Sequence, residues 1–259
     1  MTNFSAEHLP QLGITQIAQQ FVWLGNNKAK YRGMNQSWKV QLFLTLSYFC
    51  RLHNKACTDG YDCGLEVGAF LTKFLEVTGN RDLRLLYFVD GIYTERDYAS
   101  KSVYWNNPVP VLQDQIAYAD LTSYHALTTA SVDDLNTRLA EQNESISALN
   151  FRPNIVVSGV AQAYDEDRWL HVRIGEQVEF VCFKPCTRCV LTTVHPTEGK
   201  KNDKMEPLRE LRNYRLAPPG KLLDEYQKSP IFGVNMALVK GGRIHVGDEV
   251  QVRYKPTPF

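Results

Sequence analysis

A mostly apolar, β-branched run at residues 154–160, Asn154-Ile155-Val156-Val157-Ser158-Gly159-Val160, puts a sheet in the middle of any fold this chain adopts. Its β-branched residues lack helical spacing, and so short a run reads as a buried strand. Residues 171–183 read as a hairpin around Gly175-Glu176. Residues 83–89 and 190–194 read as further strands, and residues 243–246 and 249–254 as two short strands joined at Gly247-Asp248. Helical patterns lie between them. Asp62 is the expected N-cap of a helix whose apolar face is Val67, Phe70, Leu71, Phe74 and Leu75, stopped at Gly79-Asn80. Ser131 is the expected cap of a helix burying Val132, Leu135 and Leu139, and Glu206-Pro207 opens one carrying Leu208, Leu211 and Tyr214. Ile14, Ile17, Ala18, Phe21 and Val22 recur at helical spacing until Gly25. Residues 40–49 fit a buried strand or a short helix equally, and residues 93–110 read as a surface loop. Many short strands with interspersed helices predict a strand-rich α+β fold built on a β-barrel.

The 259 residues suffice for one large domain or two small ones. Twenty-nine Lys and Arg balance 28 Asp and Glu to a net charge of +1, so no overall field points to nucleic acid or an anionic membrane. Residues 1–10 are polar and lack the apolar core of a secretory signal. A reducing compartment is therefore expected, with the six cysteines free or metal-bound rather than paired. The longest apolar stretch, residues 40–50, is too short to span a bilayer, so the expectation is a soluble chain.

Chemistry concentrates at Lys184-Pro185-Cys186-Thr187-Arg188-Cys189. Arg188 lies between two thiols and favours a thiolate, the form that binds soft metals. Four readings stay open here: a structural zinc site, a redox pair, two packing cysteines, and a single thiolate ligand to a catalytic metal. The zinc reading lacks a second cysteine pair at metal spacing, since Cys57 and Cys63 are too far apart. The redox reading calls for a helix after the pair. Arg152 and Asn154, in Asn150-Phe151-Arg152-Pro153-Asn154, offer a planar cation and an amide to an anion, or simply a salt bridge and a turn at a strand entry. His195 fits a loop residue capping a turn better than an acid or base, and His245 an exposed or core-edge position. No phosphate loop, H-E-x-x-H or G-x-S-x-G motif is present.

Together these pieces resemble a known family. The stretches that carry the likeness begin with Asp62-Cys63-Gly64, Asp114-Gln115-Ile116-Ala117-Tyr118 and Ala130-Ser131 through Asp134-Leu135-Asn136 to Arg138-Leu139. They continue with Asn150-Phe151-Arg152-Pro153-Asn154-Ile155-Val156, Ser158-Gly159, Cys186-Thr187-Arg188-Cys189 and Leu191-Thr192-Thr193-Val194. Glu206-Pro207-Leu208, Tyr214-Arg215, Phe232-Gly233 and Val246-Gly247-Asp248 complete the set. In order and spacing the chain resembles the MOSC superfamily of molybdenum-cofactor proteins, in its mitochondrial amidoxime-reducing branch. The resemblance implies a MOSC β-barrel domain at residues 114–259. It implies a partial MOSC N-terminal-type α/β region at residues 51–113, behind an atypical segment at residues 1–50. It also implies a Mo-molybdopterin cofactor with Cys189 as the protein ligand to molybdenum. Thr187 and Arg188 would help hold the pterin, Arg152 and Asn154 its anionic part, and Thr122 would add a hydroxyl beside Leu121.

The implied activity is reduction of N-hydroxylated compounds, namely amidoximes, hydroxylamines and nitrite as a further candidate. Electrons would come from cytochrome b5 and its NADH-dependent reductase, and the implied location is the mitochondrial outer membrane facing the cytosol. A cofactor carrier or sulfur-transfer module, or a non-catalytic relative, is the alternative. His195 stands where the family usually has an acidic residue. The family's opening Lys-Ser-Cys loop and arginine strand have only an echo here, with Lys28, Lys30 and Arg32 in a basic stretch. The expectation is a truncated or divergent front end, lacking a membrane anchor, that leaves the barrel an open sheet edge.

Overall fold

The structure, a computed structural model, describes residues 12–17, 47–52, 56–79, 83–87, 97–99, 113–115, 118–119 and 122–258. Lys28, Lys30, Arg32 and Leu121 lie outside the described residues. Twelve strands are described: β1 (Leu12–Ile17), β2 (Ser47–Leu52), β3 (Ala56–Asp62), β4 (Leu86–Tyr87), β5 (Asp97–Ala99), β6 (Gln113–Gln115), β7 (Tyr124–Thr128), β8 (Ile155–Ser158), β9 (Trp169–Ile174), β10 (Val178–Thr187), β11 (Ile231–Lys240) and β12 (Glu249–Tyr254). Four α-helices accompany them: α1 (Leu65–Phe74), α2 (Thr129–Ala140), α3 (Leu208–Tyr214) and α4 (Lys221–Tyr226). The α+β, barrel-based expectation holds.

Seven strands close a barrel in the order β1-β12-β9-β10-β11-β7-β8, and all pair antiparallel except β7 with β8. The expected hairpin is β9 and β10, with Val178 opposite Ile174. Within the run at residues 154–160, Ile155–Ser158 become β8, and alternation explains why Ile155, Val156 and Val157 are all apolar. Ile155 and Val157 join the larger core with Trp169, Phe180 and Val234, while Val156 faces the second core of Leu135, Leu139, Leu211 and Phe232. A strand covered on both faces favours apolar residues on each, and the polar Ser158 stands only at its half-buried end. Two smaller sheets are β2-β3-β4 and β5-β6. Strand β3 meets the residues leading into the barrel at Gly60, where a Cβ would overlap the Tyr118 hydroxyl.

The front of the chain departs from expectation. Residues 12–17 form a strand, not a helix, and β1 pairs with β12 at Leu12↔Val250 and with β8 at Ile17↔Ile155. The edge expected to stand open is therefore closed by this chain's own residues, because two strands with unmet backbone groups flank the gap. Periodicity of 3.6 over so few residues could not compete with two backbone ladders.

Other boundaries move for local reasons. Thr128, not Ser131, caps α2: its hydroxyl accepts from the Ser131 N–H at 3.2 Å while its backbone is still extended. Val132, Leu135 and Leu139 are buried as expected. In α1 the N-cap position falls to Gly64, and Asp62 Oδ1 accepts from the Gly64 N–H at 2.9 Å. That helix ends at Phe74 rather than Gly79, and Phe70 and Phe74 are exposed. Residues 190–193 form a 3-10 turn instead of a strand, because the Thr192 and Thr193 hydroxyls donate to the carbonyls of Cys189 (2.9 Å) and Val190 (2.7 Å). Such local bonds compete with a ladder. Residues 243–246 form no strand. There Asp248 Oδ2 accepts from the His245 N–H (2.7 Å) and Asp248 N–H returns to the His245 carbonyl (3.2 Å), a turn chemistry. Strand β11 pairs with both β10 and β7 without having been legible as a strand. Within the expected loop at residues 93–110, Asp97–Ala99 is a strand.

Candidate functional site

The Cys186-Thr187-Arg188-Cys189 element sits where β10 leaves the barrel. Cys186 and Thr187 end the strand, and Cys189 occupies the N-cap position of the 3-10 turn Val190–Thr193. The four described cysteine side chains, Cys63, Cys182, Cys186 and Cys189, are all free thiols, and Cys189 is the exposed one. Burial pushes the Cys182 thiol up to about 12, which marks it as a packing residue. Cys189 has the access that a ligand or reactive thiol needs.

A second 3-10 turn, Ala148–Phe151, backs onto the first. Asn150 Nδ2 donates to the Thr192 carbonyl at 3.3 Å, and the Thr192 hydroxyl donates to the Cys189 carbonyl at 2.9 Å. Asn150 also closes its own turn, its Oδ1 accepting from Ser147 N–H at 3.0 Å. Arg152 follows as the C-cap, with φ of 50° and an exposed side chain. That left-handed backbone is uncommon for an arginine. The turn geometry thus brings Arg152 and Cys189 to neighbouring corners of two stitched turns.

Arg188 lies behind them, nearly fully buried. Its Nε donates to the Phe232 carbonyl at 2.8 Å, Nη1 to the Phe151 carbonyl at 3.1 Å, and Nη2 to the Phe232 carbonyl at 2.5 Å and to His125 Nε2. Its guanidinium also stands over the Phe151 ring, 5.3 Å from the centroid, and Phe151 stacks on Phe232. Among the described residues no carboxylate forms an ion pair with it. Burial lowers its pKa, yet an arginine keeps its charge. The charges of Cys186, Arg152, Cys189 and Glu166 all act on it. Glu166 is an incomplete counter-charge. Burial first, and Asp167 second, push its pKa up to about 7, and Ser131 Oγ (2.8 Å) and Thr128 Oγ1 (3.0 Å) bond its oxygens. Two arginine charges with so little opposing charge favour an anion beside them.

The remaining expected residues serve the frame. Asn154 is buried and splices β7 to β8: Oδ1 accepts from the His125 N–H at 2.7 Å, and its own N–H donates to the His125 carbonyl at 2.9 Å. Thr122, also buried, donates its hydroxyl to the Tyr124 carbonyl at 2.9 Å, with Asn235 Oδ1 at 3.2 Å. Asn235 Nδ2 donates in turn to the Pro185 carbonyl at 3.2 Å, which ties Thr122 to the strand carrying the cysteines. His195 is exposed, its Nδ1 accepting from the Glu198 N–H at 3.2 Å in a turn, and His245 is exposed on its own turn.

Among the described residues no three His, Cys, Asp or Glu side chains stand close enough to hold a metal by themselves. A soft exposed thiol beside two guanidiniums suits a group that carries both a soft-ligated metal and a phosphate. Comparison with known proteins bears on which group that is. Residues 113–251, more than half of the chain, match the family described as MOSC domain. The chain belongs to the MOSC domain family.

Curated relatives of this MOSC protein carry one kind of name. Mitochondrial amidoxime-reducing component 1 of Mus musculus is 39% identical over 201 residues, covering 78% of this chain and 54% of that protein. Mitochondrial amidoxime reducing component 2 of Rattus norvegicus is 39% identical over 191 residues, covering 74% and 52%. Component 1 of Homo sapiens is 38% identical over 201 residues, covering 78% and 55%. The chain spans about half the length of the curated relatives it matches. A solved structure, YiiM from Geobacillus stearothermophilus, covers 51% of this chain and 54% of that one at 14% identity and a TM-score of 0.31, a likeness too slight to bear on the fold.

Sequence reasoning did not single out His125, Asn235 or Glu166. His125 and Asn235 are lone polar residues within strands and Glu166 is one of a charged run before β9, and only their tertiary partners reveal them. Gly233 stood inside the Phe232-Gly233 pair, and its φ of 83° supplies the physical reason for a glycine.

Proposed function

We propose that this MOSC protein holds a molybdenum–pterin cofactor at Cys189 and reduces N-hydroxylated compounds such as amidoximes and hydroxylamines. The observation that carries the reading is an exposed thiol and an exposed arginine that both lie within charge range of one buried arginine, with no ion-paired carboxylate on that arginine among the described residues. Cys189 is the proposed metal ligand. Arg152 reaches the cofactor's anionic part, and Arg188 adds a fixed positive charge through the Nη1 hydrogen that its contacts among the described residues leave over. Thr187 lines the pterin side, while Asn154 and Thr122 hold the strands that position it.

When bound, the cofactor supplies the two-electron reduction that cleaves the N–O bond. The balance is one N–OH group, two electrons and two protons giving N–H and one water. Electrons come from cytochrome b5 and its NADH-dependent reductase. The mitochondrial names of the relatives support a mitochondrial location, and among the described residues no helix is long and apolar enough to cross a membrane. Residues 114–259 form the MOSC domain in this proposal and residues 51–113 a partial N-terminal-type region, with β1 contributed to the barrel from the first 50 residues.

The test is NADH-dependent reduction of benzamidoxime by the purified chain with cytochrome b5 and its reductase. Turnover that disappears in Cys189→Ala supports the proposal. A cofactor-loaded chain that turns over no N-hydroxylated substrate would leave it a carrier and overturn the reductase reading.

A further inference from the structure

His125 lies on β7, buried, one residue from the strand's start. Its backbone is gripped on both sides by Asn154, and its side chain meets the site's cations. Nε2 lies within hydrogen-bonding reach of Arg188 Nη2, and the carbonyls of Phe232 and Arg152 act on the ring. An arginine can only donate, so Nε2 must carry the lone pair and Nδ1 the proton. The neighbouring strand is cut to fit the ring. Gly233 adopts a φ of 83°, and a Cβ there would overlap His125 Nε2 and come within 2.7 Å of the Ala126 carbonyl.

We propose that His125 is a positioning residue for the cofactor site, its neutral imidazole accepting from Arg188 and fixing that guanidinium behind Cys189. The inference rests on the cofactor reading above. Without an acceptor in this place, Arg188 loses the contact that spreads its fork between β7 and β11. The guanidinium then shifts toward its carbonyl partners Phe232 and Phe151, and the two stitched turns that present Cys189 and Arg152 lose their common support. Phe151 belongs to one turn and Arg188 adjoins the other, so the bond network around His125 ties both turns to the barrel wall.

The experiment compares wild type, His125→Leu and His125→Gln, produced in one host that makes the cofactor. Each is measured for molybdenum per chain and for cooperative melting. Leu removes the acceptor, whereas Gln restores one without a charge. Loss of a group that orients a metal site costs about tenfold, so His125→Leu should lose about tenfold in occupancy while His125→Gln stays within about twofold of wild type. Full occupancy in His125→Leu, or an equal loss in both variants, overturns the proposal and leaves the cofactor reading standing. If His125→Leu does not melt cooperatively, His125→Gln decides: occupancy within about twofold of wild type supports the role, and a larger fall overturns it. A wild-type chain without molybdenum overturns the cofactor reading itself, before either variant is consulted.

Discussion

At the scale of single residues, the proposed site separates exposed groups, which a ligand can reach, from buried groups that hold the frame. Cys189 and Arg152 are exposed, whereas Arg188, Asn154, Thr122 and His125 are buried among protein partners. Cys189→Ala should therefore lower reductase turnover by more than about a hundredfold, since even residues that only orient a metal ligand cost about 10–100-fold. Cys186→Ala, at a half-buried strand position, should be mild; steady-state kinetics of the two variants checks this. Arg152→Ala should weaken cofactor retention about ten- to hundredfold, the worth of one charge-assisted bond of about 1.5–3 kcal/mol, without lowering the melting temperature. Metal content after dialysis measures it, and unchanged retention would return Arg152 to a turn residue. His125 adds a pH signature. Its burial first, and the charges of Arg188 and Arg152, hold its pKa well below the ordinary value, so the folded chain keeps it neutral where the unfolded chain protonates it. Its contribution to stability is full above about pH 6.5 and is lost as pH falls below that value. Melting temperatures of wild type and His125→Gln should thus move in the variant's favour between pH 7.5 and 5, and a constant gap would contradict the account. Cys189 and Arg152 stood out as candidates in the sequence because their motifs resemble those of a known family, while their spacing alone left several readings open. His125 was not, because a lone histidine in an apolar strand carries no signal until Arg188, 63 positions away, is seen against it.

At the scale of elements, the sequence was legible wherever burial repeats with a fixed period. Strand β8, the β9–β10 hairpin and the Val132, Leu135, Leu139 face of α2 all declare themselves in this way. It misled where a hydroxyl chose a local partner. Thr192 and Thr193 turned an apparent strand into a 3-10 turn, and Thr128 took the cap expected at Ser131. That last substitution of roles has an energetic meaning. Thr128 caps α2 and also bonds the buried Glu166, so Thr128→Ala removes a cap worth about 0.5–2 kcal/mol and leaves a glutamate oxygen with one partner fewer. Urea unfolding should show a loss of about 1–3 kcal/mol. A change below about 0.5 kcal/mol would mean that Ser131 alone satisfies both duties.

At the scale of the whole molecule, the barrel closes through a strand more than 100 positions from its partners: Leu12–Ile17 fills the gap between β8 and β12. No local pattern announces such closure, since β pairing over that distance is a property of the finished sheet rather than of the segment. Gly13 pairs with both Ser158 and Glu249, and Ile14 beside it pairs with Val157, so Ile14→Pro removes a ladder donor where β1 lies between two strands and should open the barrel to edge-to-edge association. Size-exclusion chromatography of that variant should show oligomers where the wild type runs as a single smaller species. The central claim concerns what the barrel presents at Cys189, and metal analysis of the purified wild-type chain, with pterin measured beside it, tests that claim most directly. Molybdenum and pterin in equal amounts, approaching one per chain, is the predicted result; zinc, or a folded chain with neither molybdenum nor pterin from a host that makes the cofactor, would contradict it.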